Sequence, residues 1–197
     1  MNKELLTTGV IVYNNVFDPK NFVDLIEEES NLNWPYLTWE YSGTDAGTIS
    51  FYRTSYQMEL QPIMSDNVPE ENRLHEASKI WMNCFREIDK CVFDYREQYN
   101  LSLEADEGYR ILKYPSGSEY LSHADAGMGS LRQLSMVGWL NDDYEGGELE
   151  FDYFGIKIKP KAGSLVIFPS NYLYRHTAYP VKEDSTDIKY VFVTWFR

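Results

Sequence analysis

The chain has 197 residues, of which 43% are hydrophobic and 16% aromatic, and carries a formal net charge of −13. That is enough apolar material for a packed core, which excludes wholesale disorder, while no window offers the roughly 18 apolar residues of a membrane span. The excess of 31 acidic over 18 basic residues makes a poor ligand for a phosphate backbone, so neither nucleic acid nor membrane is expected as a partner.

Met1 to Leu6 lacks the long apolar run of a secretory leader, which predicts a cytoplasmic protein. Residues 8–13, rich in β-branched side chains, read as a strand. Asp18 and Pro19 then suit the N-cap and first position of a helix whose apolar face is Phe22, Leu25 and Ile26. Residues 31–66 are rich in Tyr, Ser, Thr and Gly, with a strand expected near 49–58. Pro69 opens a long helix to about residue 98, striped by Ile80, Trp81, Cys84, Ile88, Cys91 and Tyr95. Cys84 and Cys91 stand seven residues apart on that helix, about 10 Å of rise, too far for a disulfide. After residue 103 come eight short β-rich runs, near 107–114, 118–123, 131–141, 147–152, 154–159, 164–168, 173–178 and 187–196, separated by Gly, Pro, Asn and Asp turns. The pattern predicts a mainly β fold with supporting helices. Its core over 104–197 is expected to be a sandwich or a jelly roll, the latter being a double-stranded β-helix. Residues 1–103 would pack on it as part of one integrated domain.

Only three histidines occur, His75, His123 and His176, so any histidine-based metal site is small. His123 and Asp125 are spaced to share one face of a strand. With His176 they make two imidazoles and one carboxylate, the set that leaves three coordination positions open on non-haem Fe(II), although zinc accepts the same ligands.

Around that set, the order of motifs over 104–197 closely resembles the iron(II)/2-oxoglutarate-dependent oxygenases, in particular their prolyl 4-hydroxylase branch. The resemblance is carried by Tyr114, Gly117, Tyr120, His123 and Asp125. It continues through Arg132, the Leu140-Asn141 pair, the Gly146-Gly147-Glu148 turn, Pro160 to Gly163, and Phe168-Pro169. It closes with His176, Pro180-Val181, Lys189-Tyr190 and Trp195. Arg53-Thr54-Ser55 and Glu107 match further positions of the same branch.

The resemblance implies that His123, Asp125 and His176 ligate Fe(II). It implies that Lys189 pairs with the far carboxylate of 2-oxoglutarate, with Lys182 as a closer-spaced alternative, and that Tyr114 and Trp139 line the co-substrate. Tyr120, Arg132, Trp195, Arg53 and Glu107 are implied at the substrate, with Arg197 nearby. Leu149 stands where some relatives carry a hydroxyl. The implied activity is hydroxylation of a prolyl residue at C4 in a peptide or protein, using O₂ and 2-oxoglutarate and releasing succinate and CO₂, with ascorbate in support. Alternatives at this level are another substrate (a free amino acid, another side chain or a nucleobase), a zinc enzyme, and a non-catalytic barrel.

Overall fold

A computed structural model of the chain describes residues 2–30, 37–42, 44–45, 48–49, 51–61, 73–183 and 186–197. The strands are β1 (Asn2–Thr7), β2 (Val10–Asn14), β3 (Glu40–Tyr41), β4 (Thr44–Asp45), β5 (Thr48–Ile49), β6 (Tyr56–Glu59) and β7 (Arg110–Pro115). They continue with β8 (Tyr120–His123), β9 (Leu134–Trp139), β10 (Leu149–Phe151), β11 (Ile156–Ile158), β12 (Leu165–Pro169), β13 (His176–Ala178) and β14 (Ile188–Phe196). The helices are α1 (Phe22–Ser30) and α2 (Arg73–Tyr99). All eight β-rich runs expected after residue 103 are strands, and a one-turn 3-10 helix, Tyr172–Tyr174, precedes β13.

The strands form an eight-stranded sheet in the order β1-β2-β12-β9-β14-β7-β6-β3, a four-stranded sheet in the order β11-β10-β13-β8, and the separate pair β4-β5. The side-chain period of two divides the large sheet into two faces. Along β14, Lys189, Val191, Val193 and Trp195 line the cavity between the sheets, while Tyr190, Phe192 and Phe196 join the opposite core. Neighbouring strands follow the same rule: Val10, Val12, Val166 and Phe168 face the small sheet, and Ile11, Tyr13, Leu165 and Ile167 face the helices. Helix α2 buries Trp81, Cys84, Ile88, Cys91 and Tyr95 in that second core, with both cysteines free. Gly138 belongs to this packing, because a Cβ there would lie 2.1 Å from the Phe192 ring.

The N-terminal part departs from the sequence reading in three places. The first strand starts at Val10, and β1 precedes it as an antiparallel partner with Leu5 opposite Ile11. Its polar, exposed Asn-Lys-Glu start hides it from a hydrophobic pattern. Helix α1 begins at Phe22, not at Pro19: Asp18 Oδ1 accepts from the Lys20 amide, and Lys20 takes φ 45°, which ends that turn before the helix starts. The stretch expected as one strand near 49–58 is divided. Around Arg53 the chain runs along the edge of the small sheet, with Arg53 opposite Tyr120 and the Leu121 amide donating to the Tyr52 carbonyl. From Tyr56 it joins the large sheet, Met58 opposite Ile111. One short segment thus stitches the two sheets together beside the cavity. The expected helix start at Pro69 lies outside the described residues, as does much of 31–66. Among the described residues no helix is long and apolar enough to cross a membrane.

Trp81 is the centre of the helix-facing core, stacked on Phe22 at 5.5 Å and edge-on to Phe192 at 5.3 Å and Tyr109 at 5.6 Å between ring centroids. Trp81→Ala is expected to lower unfolding stability by about 3–5 kcal/mol in urea titrations. Trp81→Phe should lose clearly less, because the indole N–H finds no partner among the described residues.

Candidate active site

The site begins with strand register. β13 pairs antiparallel with β8 so that His176 lies opposite His123. Their ring centroids are 4.2 Å apart. His123 Nδ1 is 2.9 Å from the Leu121 carbonyl and His176 Nδ1 is 3.0 Å from the Tyr174 carbonyl. A carbonyl can only accept, so both Nδ1 atoms carry the proton and both Nε2 lone pairs face inward. Asp125 completes the group, with Oδ1 3.6 Å from His123 Nε2 and Oδ2 3.8 Å from His176 Nε2. One donor atom from each residue lies within 4.8 Å of the others. Convergence does not come from strand alternation, as the spacing suggested: β8 ends at His123, and Asp125 sits in the bend beyond it. That bend is held by the Ala126 amide, which donates to the Ser170 carbonyl. Two neutral imidazole nitrogens and a carboxylate, leaving one side free, fit a divalent metal with open positions.

Electrostatics agree with that fit. Burial, then the adjacent His176, holds His123 well below the ordinary histidine range, so its lone pair is available at neutral pH. Burial alone would raise the Asp125 carboxyl. His176, His123 and hydrogen bonds from the Ser135 hydroxyl and Trp195 indole outweigh it, keeping Asp125 ionised. Ser135 in turn shares a 2.8 Å hydrogen bond with Ser170, both buried.

Every side chain expected at the site except Glu107 lines one cavity of about 250 Å³ between the sheets. Lys189 lies deep in it and is 2% exposed. Its Nζ donates to the Gly147 carbonyl at 2.7 Å and stands 4.8 Å from the Tyr114 ring centroid. Among the described residues no carboxylate pairs with it. Burial pushes its pKa down to about 7, with Glu148 offsetting part of the shift. Gly147 is what permits the contact: at φ 67°, a Cβ there would meet Tyr144 at 2.9 Å and the Lys189 stem at 3.0 Å. Lys182 is on the surface, paired with Glu145 at 2.6 Å.

Tyr114 is fully buried, with its hydroxyl at Ser55 and Arg53. The indole N–H of Trp139 is buried without a hydrogen-bond partner among the described residues. Leu149 contributes an apolar wall. Arg53, Tyr120 and His123 form a layered stack: the guanidinium carbon is 4.9 Å from the Tyr120 centroid, and Tyr120 lies 3.5 Å from His123 at 14° between planes. Arg132 holds Glu107 at the rim and lies over the Trp195 ring at 3.9 Å. Arg197 joins Arg132 and Met128 around the adjoining rim hollow.

Sequence reading did not single out Ser135 or Ser170, and gave no role to Ser55, named only within its motif, or to the Gly147 carbonyl. The alternation of β9 places Ser135 on the same face as Val137 and Trp139, which is a usable signal. Nothing local marks Ser170, which reaches Ser135 through strand pairing.

Comparison with known proteins accords with this geometry. Residues 109–197 match the family model of the 2OG-Fe(II) oxygenase superfamily. A curated protein of Acanthamoeba polyphaga mimivirus, provisionally named a prolyl 4-hydroxylase, is 21% identical over 145 residues, covering 64% of this chain. The match spans 60% of that relative's length. The fold is that of solved prolyl hydroxylases. The viral collagen prolyl hydroxylase of Paramecium Bursaria Chlorella virus-1, solved as its 2OG complex, superposes with TM-score 0.62 at 18% identity over 95% of both chains. A Pseudomonas putida prolyl-4-hydroxylase gives 0.64 at 19% identity, over 96% of this chain and 92% of its own. A Trichoplax adhaerens prolyl hydroxylase in complex with a hypoxia inducible factor peptide fragment gives 0.66 at 18%, over 98% and 84%.

The arrangement predicts one divalent metal per chain. Asp125→Ala should abolish measurable Co(II) binding in anaerobic calorimetry, and Ser135→Ala should weaken it about 10-fold. Unchanged affinity in Asp125→Ala would place the metal elsewhere.

Proposed function

From the match of residues 109–197 to the 2OG-Fe(II) oxygenase superfamily, we propose that this protein is an Fe(II)- and 2-oxoglutarate-dependent hydroxylase of a prolyl residue, at C4, in a peptide or protein. The observation that carries the reading is the pairing, in one cavity, of an open-sided His-Asp-His set with a buried lysine that has no carboxylate partner among the described residues. A buried cation without a counter-charge is unfavourable, and a dicarboxylate bridging the two ends removes that cost.

His123, Asp125 and His176 hold the metal. Lys189 meets the distal carboxylate of the co-substrate, and the unpartnered Trp139 indole N–H and the Tyr114 hydroxyl supply further polar contacts. Leu112, Leu149, Val191 and Val193 keep that end of the cavity dry. Bound Fe(II), with 2-oxoglutarate and O₂, supplies oxidative decarboxylation to succinate and CO₂ coupled to insertion of one oxygen atom into a C–H bond. At the open end, the faces of Tyr120 and Trp195 suit an apolar prolyl ring. Arg53, Arg132 and Glu107 flank the path of a peptide backbone. The choice of a prolyl peptide is supported by the named activity of the similar proteins and by the peptide held in the Trichoplax structure.

Turnover decides it. Protein loaded with Fe(II) and 2-oxoglutarate, then given O₂ and proline-containing peptides, should yield a product about 16 Da heavier on proline, with stoichiometric succinate. His176→Ala should abolish both. Succinate without a peptide product would retain the oxygenase and exclude the tested peptides. No 2-oxoglutarate binding would overturn the reading.

Lys189 adds a pH dependence. A dianion beside it raises its pKa above the free value of about 7, so binding takes up a proton. The bound state holds that proton more tightly, and rising pH therefore favours the empty site. Affinity for 2-oxoglutarate should fall above about pH 7, approaching tenfold per unit, and the calorimetric heat should vary with the buffer's ionisation enthalpy. Lys189→Met should weaken binding about 100-fold or more.

A further inference from the structure

His123 and His176 are fixed by the pairing of β8 with β13, whereas Asp125 lies beyond the strand end. Something else must hold it. Three residues, Arg132, Glu107 and Trp195, make a ring of contacts with it. Arg132 Nη1 donates to the Asp125 main-chain carbonyl at 3.2 Å. Arg132 Nε and Nη2 donate to Glu107 Oε2 at 2.9 and 2.6 Å. The Glu107 amide donates to the Trp195 carbonyl at 2.9 Å. The Trp195 indole helps hold the Asp125 carboxyl below its ordinary range, and the Arg132 guanidinium carbon lies over the Trp195 ring, 3.9 Å from its centroid. Each of the three guanidinium nitrogens of Arg132, which also lines the cavity, makes a hydrogen bond within the protein, one of them to Asp125.

We propose that Glu107, Arg132 and Trp195 are positioning residues that hold Asp125, from its backbone and its carboxylate together, in the geometry the metal requires, so that metal affinity depends on a rim ion pair. The planar guanidinium is needed for both functions at once, forking onto Glu107 while stacking on Trp195, which a lysine cannot do. This rests on reading Asp125 as a metal ligand.

The test is Co(II) affinity, with the Co(II) absorption spectrum, in Arg132→Gln, Arg132→Lys, Glu107→Gln and the Arg132→Gln/Glu107→Gln pair, alongside peptide KM. Each single variant should weaken Co(II) binding about 10- to 100-fold and alter the spectrum. The pair should be no weaker than the worse single variant, because both act through one contact ring. Trp195→Phe keeps the ring under Arg132 and removes only the N–H. It should weaken Co(II) binding in the same direction, with the metal-free thermal midpoint retained, which separates positioning from folding. Co(II) affinity within twofold of wild type, with raised peptide KM, would overturn the proposal and make these residues substrate contacts only. Absence of Co(II) binding by the wild-type protein would overturn the ligand reading itself, and the positioning role with it.

Discussion

The pairing of β8 with β13 sets His176 opposite His123, and the rest of the site depends on that register. A shift of one residue would send one imidazole to the outer face of the small sheet. Two backbone carbonyls, of Leu121 and Tyr174, then fix which ring nitrogen is protonated, so neither histidine needs to reorganise before it can act as a ligand. The third member of the set, Asp125, comes from outside the strand, and its support comes from side chains of three other segments. The site therefore combines two imidazoles fixed by backbone hydrogen bonding with one carboxylate fixed by packing and charge.

The opposite end of the cavity has the complementary character. The large sheet presents Val191, Val193 and Leu112 on the face that carries Lys189, so the ammonium sits among hydrocarbon with the Gly147 carbonyl as its hydrogen-bond acceptor. Such a lysine is unfavourable for the empty fold and favourable for binding an anion. Arg53, Arg110 and Arg132 also line the cavity. A chain with a net charge of −13 thus encloses a pocket rich in cations. Whole-chain charge bears on solubility and long-range encounter, and it does not report the potential inside a concave site.

The segment that contains Arg53 shows how the two sheets depend on each other. Tyr52 and Arg53 lie along the β8 edge, and Tyr56 to Glu59 pair with β7. The same short stretch covers an exposed strand edge, closes the cavity side and delivers Arg53 to the outer face of the Tyr120–His123 stack. Its sequence, mixed in polarity and without clean alternation, carries little sign of this, because its partners lie on two different sheets.

The sequence by itself determined the β-rich half of the fold and marked His123, Asp125 and His176 as a candidate set. Period-two alternation, as in Lys189 to Phe196, is imposed locally by strand geometry, and a facial set of two histidines and a carboxylate is recognisable from residue type and order. The family resemblance, through the register of Lys189-Tyr190, also favoured Lys189 over Lys182. Only the tertiary structure decided what spans distant segments. It put Lys182 on the surface with Glu145 and Lys189 in the cavity. It placed Ser170 behind Ser135, and joined Glu107, Arg132 and Trp195 around Asp125. It also began α1 at Phe22, where the left-handed Lys20 backbone overrode the Asp-Pro signal. Apart from the α1 start, which the local Asp18–Lys20 turn sets, these features depend on contacts between residues far apart in the chain, and such contacts leave no periodic trace in the residues that make them.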